Sequence, residues 1–462
     1  MSGAAMYIQD DLHVSDNQIE ILIGILSVSS LIGSALAGRT SDAIGRRYTI
    51  VLSAIIFFIG ALVMGFSQNY AVLMVGRFIT GIGVGYALMV APVYTAEVSP
   101  ASSRGFLTTF PEVFINTGTL LGYISNYAFS HLSKHLSWRL MLGVSAIPSV
   151  FLAFGVLAMP ESPRWLVMQT TDTPEEAETR LSDIKAAAGI PEDCNDDVVT
   201  VSKKCHGEGV WKELLIHPTP SVRKVLICAI GIHFFQQSSG MDAVVFYTPR
   251  VFKKAGITND SKILIATVAV GFTKTLFILV ATFLLDRVGR RPLLLSSVGG
   301  MIASLIVLGT GLTVVERSAE GTVMWAMAAC IAAVLAYVAF FSIGLGPITW
   351  VYSSEIFPLR LRAQGASMGV AVNRVKSGVI STTFISLYKA ITIGGSFYLF
   401  AGFATIAWVF FFTYLPETRG RTLEDMGSLF GKTSHENQNS KEDDQLGQVG
   451  QVQLVTANNG RM

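Results

Sequence analysis

The stretch Gly38-Arg-Thr-Ser-Asp-Ala-Ile-Gly-Arg-Arg47 returns later in the chain as Leu285-Asp-Arg-Val-Gly-Arg-Arg291, which indicates an internal duplication. Both copies contain Asp-x-x-Gly-Arg-Arg directly after an apolar run. Their aspartates, Asp42 and Asp286, are 244 residues apart. One such match could arise by chance, so a true duplication requires other features to repeat in the same order.

Two further pairs do repeat in that order. Glu97 is matched by Glu355, 258 residues later, and Pro160-Glu-Ser-Pro-Arg164 is matched by Pro416-Glu-Thr-Arg419, 256 residues later. The sequence therefore predicts two parallel copies of one unit, which is the pattern of transporters built from repeated helix bundles.

The composition places both copies in lipid. Lys, Arg, Asp and Glu make up 14% of the 462 residues, where soluble domains carry about 25%, and hydrophobic residues make up 51%. So few charges cannot cover an interior of that size. The formal net charge of +2 gives no basic stripe for nucleic acid, and four cysteines exclude a disulfide scaffold. We find no nucleophile–base pair or metal cluster, and expect neither an enzyme nor a metal or cofactor site.

Eleven runs of about 20 mostly apolar residues predict eleven transmembrane helices. They lie at 18–37, 48–65, 70–93, 105–129, 139–159, 222–250, 262–285, 292–315, 323–351, 363–387 and 394–414. The second half has two runs before Asp286, whereas the first half has room for one before Asp42. We therefore expect an all-α membrane protein of two parallel bundles whose first helix is missing, with Met1-Ser-Gly-Ala4 as the end of that helix.

The runs divide the chain into an N-terminal bundle of five spans at 1–159, a loop at 160–221, a C-terminal bundle of six spans at 222–414 and a tail at 415–462. The short loops on the two sides hold nine and eight basic residues, which does not decide the orientation. Basic residues near the helix ends of the long loop and the tail raise the first side to sixteen. The positive-inside rule then puts the duplicated motif, the loop and the tail in the cytosol.

The duplicated loops predict a charged network at the cytosolic helix ends. Arginine guanidinium groups there can form hydrogen bonds and ion pairs with carboxylates and exposed helix carbonyls. These contacts can hold the two bundles together in one state and break in another. The alternative is simple snorkelling of basic side chains to the cytosolic water. The residues expected in this gating network are Asp42, Arg46, Arg47, Glu97, Arg104, Glu161, Arg164, Asp286, Arg290, Arg291, Glu355 and Glu417.

Charged residues inside the spans indicate a wet pocket. They are Arg77, Glu112, Asp242, Lys274, Arg374 and Lys376. Each costs roughly 2.5–3.5 kcal/mol at the bilayer centre unless it is paired or hydrated. Asp242 and Lys274 lie on consecutive spans, so we expect them to pair, and Gly240 and Pro249 could break the helix beside them. A buried packing salt bridge is the alternative, but a cavity for a polar solute also explains Gln236, Gln237 and Asn373.

Two aromatic or glycine-rich motifs lie in other spans. Gly81-Ile-Gly-Val-Gly85 follows no strand, so we expect close helix packing and not a nucleotide site. Trp350, in Gly346-Pro-Ile-Thr-Trp350, is either an interfacial anchor or an aromatic floor beneath a sugar. His233 lies on an apolar helix, and we expect a core histidine with its hydrogen bonds satisfied.

Together these motifs resemble the sugar porter family of the major facilitator superfamily, from Met1 to about Phe430. The resemblance rests on Gly45-Arg-Arg47, Gly76-Arg77, Pro160-Glu-Ser-Pro-Arg-Trp165, Gln236-Gln237 with Gly240, Gly289-Arg-Arg291, Gly346-Pro-Ile-Thr-Trp350 and Pro416-Glu-Thr418. Within the family, the stretches at 91–105 and 232–237 are similar to plant polyol/monosaccharide transporters. The resemblance implies the major facilitator fold and proton-coupled uptake of linear polyols and monosaccharides across the plasma membrane by alternating access.

The resemblance also implies site residues. The family's sugar contacts fall on Glu112, Gln236, Gln237, Asp242, Lys274, Trp350 and Asn373. Sugar porters commonly have amides where Glu112, Asp242 and Lys274 stand, so the solute range could be broad or shifted towards open-chain polyols.

The resemblance also has a consequence for proton coupling. The family's proton-binding aspartate belongs to the first helix and should pair with Arg77, so its absence leaves Arg77 unpaired, and Asp242 or Glu112 could take the proton instead. A facilitative transporter, an inactive truncated form and a membrane sugar sensor are the alternatives to a symporter.

Overall fold

The computed structural model describes residues 2–99, 107, 109–162, 165, 220–257, 259–318, 324–357 and 362–417, and within these ranges the chain forms helices and no strand. The first half contains α1 (Ser2–Leu12), α2 (Asp16–Ile44), α3 (Arg46–Gly65), α4 (Tyr70–Val98), α5 (Phe110–Phe129), α6 (Lys134–Gly143) and α7 (Ala146–Leu157). The second half contains α8 (Pro220–Ser238), α9 (Met241–Lys254), α10 (Asp260–Val288), α11 (Arg290–Arg317), α12 (Met324–Ile343), α13 (Leu345–Glu355), α14 (Arg362–Ile391) and α15 (Ile393–Tyr414).

Each of the eleven predicted runs coincides with a helix or a pair of helices in the described ranges. Among the described residues, eight segments are long and apolar enough to cross a membrane: Asp16–Ile44, Arg46–Gly65, Tyr70–Thr95, Lys134–Leu157, Asp260–Leu285, Arg290–Arg317, Met324–Ser353 and Ile393–Tyr414. The other three runs are α5 and α14, which carry several polar side chains, and the interrupted pair of α8 and α9. The count of eleven spans and the missing first helix stay predictions.

The segment before the first predicted run is also helical. α1 extends to Leu12, so the helical end expected at Met1–Ala4 reaches about two turns further. Its small residues Ser2, Gly3, Ala4 and Ala5 are buried. They let α1 pack closely against α6 and α9.

Three of the predicted spans are interrupted helices, and two of them, unlike the pair α6 and α7, have a glycine at the interruption. Gly240 separates α8 from α9 with a φ of +86°, a conformation that residues with a side chain rarely adopt. Gly344 separates α12 from α13. The break expected at Gly240 is therefore present, whereas Pro249 lies inside α9 without ending it.

The duplicated motif folds in the same way in both halves. Gly45 lies between α2 and α3 with φ +92° and ψ 163°, and Gly289 lies between α10 and α11 with φ +101° and ψ 159°. In each half the next residue turns its guanidinium back to the helix that has just ended: Arg46 Nη1 donates to the Ser41 carbonyl at 3.1 Å. The motif therefore marks a repeat in three dimensions as well as in sequence.

The glycine run in α4 serves close helix packing. A Cβ atom at Gly81 would lie 1.8 Å from Ser29 Oγ, and one at Gly85 would lie 2.2 Å from the Ser30 carbonyl oxygen, both on α2. Such distances leave no room for any side chain, so α2 and α4 touch backbone to backbone.

The two halves meet mainly along two helix pairs, α2 with α14 and α5 with α10, in addition to the smaller contact of α1 with α9. Hydrogen bonds cross both pairs: the Ser27 and Ser377 hydroxyls are 3.0 Å apart, and Thr275 Oγ1 donates to the Asn116 carbonyl at 3.2 Å. The polar residues of the predicted pocket lie around these two contacts.

Candidate functional site

Three buried amide side chains, which we call the amide cluster, lie where the two broken helices meet. Gln236 and Gln237 are in the last turn of α8, and Asn373 is on α14. Asn373 Nδ2 donates to Gln236 Oε1 at 2.7 Å, and Gln237 Nε2 donates to Asn373 Oδ1 at 3.1 Å. Gln236 Nε2 also donates to the carbonyls of Leu345 and Gly346, at 3.3 and 3.1 Å, at the start of α13. The helix breaks thus supply carbonyl groups that hold the first amide in place.

The amide cluster has hydrogen-bonding capacity left over. Gln237 Oε1 is buried and has no hydrogen-bond partner among the described residues. Amide oxygens of this kind accept from hydroxyl groups, and their NH₂ groups donate to them. The cluster therefore has the chemistry of a site for a neutral, hydroxyl-bearing solute.

Asp242 links this site to the other half of the molecule. It lies in the first turn of α9, directly after the Gly240 break. Its Oδ2 accepts a hydrogen bond from the Ser377 hydroxyl of α14, and Ser377 in turn contacts Ser27 of α2. The Asp242 carboxylate is therefore joined by two hydroxyls to the other half of the molecule.

Glu112 and Lys274 complete the charged part of the site from α5 and α10. Asn116 Nδ2 donates to Glu112 Oε1 at 3.3 Å. Lys274 lies close enough to Glu112 and Asp242 to interact with both charges, and so does Arg374. The ion pairs among the described residues do not include the expected Asp242–Lys274 pair, and Asp242 bonds to the Ser377 hydroxyl. Two positive and two negative groups therefore balance one another at longer range.

Trp350 stands one turn from the amide cluster, beside α8. Its indole meets the His233 imidazole edge to face, with the ring centroids 5.2 Å apart. His233 is fully buried, as expected for a core residue, but neither ring nitrogen has a hydrogen-bond partner in the described ranges. Gly369 makes room for the imidazole, since a Cβ atom there would lie 2.4 Å from His233 Cδ2.

Arg77 lies apart from these groups, in α4. Its side chain is buried, and Nε donates to the Leu22 carbonyl of α2 at 3.3 Å. None of the ion pairs seen among the described residues includes Arg77. The role expected of Arg77 in proton coupling stays a prediction.

The first copy of the predicted gating network is assembled around Arg46. Its guanidinium bonds to Asp42 at 3.1 Å and to Glu97 at 3.2 Å. The backbone N–H groups of Arg46 and Arg47 both donate to Glu161 Oε1, at 2.9 and 3.0 Å. A carboxylate thus caps the N-terminus of α3, where the helix dipole favours negative charge.

The second copy repeats this arrangement. The backbone N–H groups of Arg290 and Arg291 donate to Glu417 Oε1 and Oε2, at 3.0 and 2.9 Å, at the N-terminus of α11. All these contacts lie within one half or the other. Arg104, Arg164 and the side chains of Asp286 and Glu355 lie outside the described residues, so the predicted locking of one bundle to the other by this network stays a prediction.

Several polar groups that the sequence did not single out also belong to the site. Ser27, Asn116, Thr275 and Ser377 form its contacts between the halves. Hydroxyl and amide residues are common in helices, so only their meeting across the two halves distinguishes them. Within the described ranges no group of three or more His, Cys, Asp and Glu side chains could hold a metal ion.

Comparisons with known sequences agree with this architecture. The model of the family described as "Sugar (and other) transporter" matches residues 3–430. The chain is 68% identical to polyol transporter 5 of Arabidopsis thaliana, over 93% of this chain and 82% of that protein. It is 62% identical to putative polyol transporter 1 of the same plant, over 96% of this chain and 90% of that protein.

Solved structures show the same fold. The proton:xylose symporter XylE of the major facilitator superfamily, bound to 6-bromo-6-deoxy-D-glucose, superposes with a TM-score of 0.74 at 26% identity, covering 93% of this chain and 94% of that chain. A partially occluded inward open conformation of the xylose transporter XylE from E. coli gives a TM-score of 0.73 at 26% identity, covering 91% and 94%.

Proposed function

The chain belongs to the sugar transporter family, and we propose that it is a proton-coupled symporter of linear polyols and monosaccharides. It is a helical, multi-pass membrane protein and not an enzyme, since its relatives are transporters. The observation that carries the proposal is the amide cluster at two helix breaks, joined through Asp242, Ser377 and Ser27 to the opposite half. The relatives named polyol transporters support the solute class, and the likeness to a proton:xylose symporter supports the coupling.

The solute would lie between the amide cluster and the charged groups. Its contacts would be Glu112, Gln236, Gln237, Asp242, Lys274, Trp350 and Asn373. Hydrogen bonds to charged groups are worth about 1.5–3 kcal/mol, against about 0.5–1.5 kcal/mol for neutral ones. The charged groups therefore favour solutes that can turn several hydroxyls towards them, as an open-chain polyol can.

Transport would proceed by alternating access between two bundles, at 1–159 and 222–414, in the plasma membrane. Five spans in the first bundle and six in the second would make up the eleven. The duplicated loops, the segment 160–221 and the tail 415–462 would face the cytosol, where the gating network locks the bundles in one state. The contacts between α2 and α14, on the other side of the solute site, support a closed outer side in the conformation described here.

Proton coupling would drive accumulation of the solute. A proton that crosses about 100 mV gains about 2.3 kcal/mol, and one pH unit adds about 1.4 kcal/mol. The sum of about 3.7 kcal/mol corresponds to roughly 500-fold accumulation at one proton per solute. Arg77, Asp242 and Glu112 are the proposed coupling residues, because all three lie within the spans, Arg77 is buried, and the two carboxylates are groups that can exchange a proton.

The test is uptake of labelled sorbitol and glucose by cells that express the chain, with the external pH recorded. A symporter makes an unbuffered medium more alkaline when solute is added, whereas a facilitator moves solute without this change. Binding of solute with no flux would support a sensor and contradict the proposal. Proton-coupled uptake that survives Asp242→Asn together with Glu112→Gln would remove both carboxylates from the coupling role.

A further inference from the structure

Pro249 leaves one backbone carbonyl of α9 without its partner inside the helix. In an α-helix each N–H group bonds to the carbonyl four residues earlier, and proline has no N–H group. Pro249 lies inside α9, so the Val245 carbonyl lacks the donor that any other residue at position 249 would supply. A backbone carbonyl away from water is unfavourable when it has no donor, so this one requires a donor from outside its helix.

Tyr123 supplies that donor from the other half of the molecule. It lies on α5, and its hydroxyl donates to the Val245 carbonyl at 3.1 Å. Its ring is buried beside α10, where a Cβ atom at Gly271 would lie 2.5 Å from Tyr123 Cδ2. A side chain at position 271 would therefore displace the ring. The ring of Tyr123 is held by α10, while its hydroxyl holds α9.

This contact lies close to the charged part of the solute site. Asp242 precedes Val245 by three residues, which is about 4.5 Å along the axis of α9. Gly240 interrupts the chain between α8 and α9, so α8 alone does not fix the direction of α9. Glu112 is on the same helix as Tyr123. The contact therefore joins the two helices that carry the carboxylates of the site.

We propose that Tyr123 is a positioning residue of the solute site. Through the carbonyl that Pro249 frees, it holds α9 against α5 and so sets the place of Asp242 relative to Glu112. The Tyr123 hydroxyl bonds to the Val245 carbonyl and not to the solute. This inference rests on the proposed solute site, to which it adds a residue that acts from outside it.

The first test is the thermal midpoint of the purified protein in detergent, which requires no transport. Tyr123→Phe removes only the hydroxyl and leaves the Val245 carbonyl without a donor. Pro249→Ala gives position 249 an N–H group, so α9 can then bond this carbonyl itself. Tyr123→Phe should lower the midpoint by about 2 °C or more beside Pro249, and by less than about half as much beside Ala at 249. Equal losses in the two backgrounds would overturn the inference.

The second test is uptake of labelled sorbitol over a range of concentrations, normalised to the protein in the membrane. Tyr123→Phe should weaken the apparent affinity about fivefold and leave maximal uptake within about twofold. Tyr127→Phe is the matched control, since Tyr127 is one turn further along α5 and its ring packs on His131, with the centroids 5.6 Å apart. Unchanged affinity with Tyr123→Phe, or an equal loss with Tyr127→Phe, would overturn the inference.

The double variant separates positioning from a purely structural role. Tyr123→Phe with Pro249→Ala should regain the thermal midpoint of Pro249→Ala alone, because the carbonyl is bonded within α9. Its apparent affinity should stay about fivefold weaker than that of the parent chain, because nothing joins α5 to α9 at this point. Recovery of both would contradict positioning. Absence of sorbitol uptake by the parent chain would contradict the proposed function, and the thermal comparison would still decide whether the Tyr123–Val245 contact exists.

Discussion

The carboxylates of Glu161 and Glu417 occupy the same place in the two halves of the molecule. Each accepts the backbone N–H groups of two consecutive arginines at the start of a helix, Arg46 and Arg47 in one half and Arg290 and Arg291 in the other. The sequences that carry them, Pro160-Glu-Ser and Pro416-Glu-Thr, differ beyond the shared Pro-Glu. The duplication therefore preserves the anion at the helix N-terminus and not the details of the loop.

Loss of either anion should lower stability to a similar extent. Glu161→Gln keeps one acceptor oxygen but removes the charge from the N-terminus of α3, which should cost about 1–2 kcal/mol. Glu417→Gln should cost about the same at α11. Thermal unfolding in detergent measures both, and a loss confined to one half would contradict the equivalence of the two sites.

Removal of the Asn373 side chain, which bonds to both glutamines of the amide cluster, should lower stability and weaken solute binding. Asn373→Ala leaves Gln236 Oε1 and Gln237 Nε2 without their partner, and each buried unsatisfied group costs about 1–3 kcal/mol. We expect a lower thermal midpoint together with at least about tenfold weaker apparent affinity for solute in uptake assays. Thr383→Ala is the matched control, since Thr383 is on the same helix but exposed, and its hydroxyl donates to the Val379 carbonyl of its own helix. An equal loss in the control would show that α14 is merely sensitive to substitution.

Substitution of two serines should distinguish an effect on solute binding from an effect on the contact between the halves. Ser377→Ala removes the donor to Asp242 and the link to Ser27, so it should weaken solute affinity and change the rate of transport. Ser27→Ala leaves the Asp242–Ser377 bond intact and should change the rate alone. Apparent affinity and maximal uptake, measured for both variants at equal membrane levels, distinguish these outcomes. Weaker affinity with Ser27→Ala would place Ser27 at the solute.

The contacts that Asp11 of α1 makes with α6 should make the stability of the protein depend on pH. Burial of Asp11 raises the pKa of its carboxyl. The hydrogen bonds that it accepts from Trp138 (2.8 Å) and His135, together with the charges of His135 and Arg139, have a larger effect in the opposite direction. The pKa of Asp11 therefore lies below its ordinary value. A carboxyl with a lowered pKa stabilises the fold above its unfolded pKa and loses this effect as the pH falls through the folded one. Asp11→Asn should therefore cost about 1 kcal/mol at neutral pH and progressively less below about pH 4. Thermal midpoints across this range test it, and a constant difference would contradict it.

Two glycines, one in α4 and one in α5, should respond in opposite directions to the same change. Gly85→Ala puts a methyl group 2.2 Å from the Ser30 carbonyl oxygen and should cost about 2–3 kcal/mol by forcing α4 away from α2. Gly118→Ala in α5 meets nothing within 4 Å and should stabilise the helix by about 0.5–1 kcal/mol. Unfolding in detergent checks the pair, and similar losses at both positions would contradict the packing argument.

Local pattern predicted much of this fold. Apolar runs predicted where the helices lie, and the repeated motif predicted two equivalent halves, because both signals are contained in short stretches of sequence. The family resemblance is confirmed by the match over residues 3–430. Gln236, Gln237 and Asn373 come together as a cluster, although no observation tests their role with solute.

What the sequence did not predict depends on pairing between distant helices. Ser27 and Ser377 are 350 residues apart, and nothing near either one indicates the other. Glu20 lies one turn from the polar start of its run, where an acidic residue is readily taken for an interfacial one. Only the packing of α14 over it shows that it is buried. Similarly, Asp242 was expected to bond to Lys274, but the hydroxyl of Ser377 is nearer.

The Gly240 break gives α9 a mechanical property of its own. The helix has 14 residues, with Asp242 in its first turn and Arg250 about 12 Å further along its axis. The Arg250 guanidinium donates to Asp16 Oδ1 at 2.9 Å and to Gln9 Oε1 at 2.6 Å. Because a helix keeps its ends at a fixed separation and Gly240 allows it to tilt as a unit, we expect that a change in the contacts of Asp242 would also change those that Arg250 makes with α1 and α2.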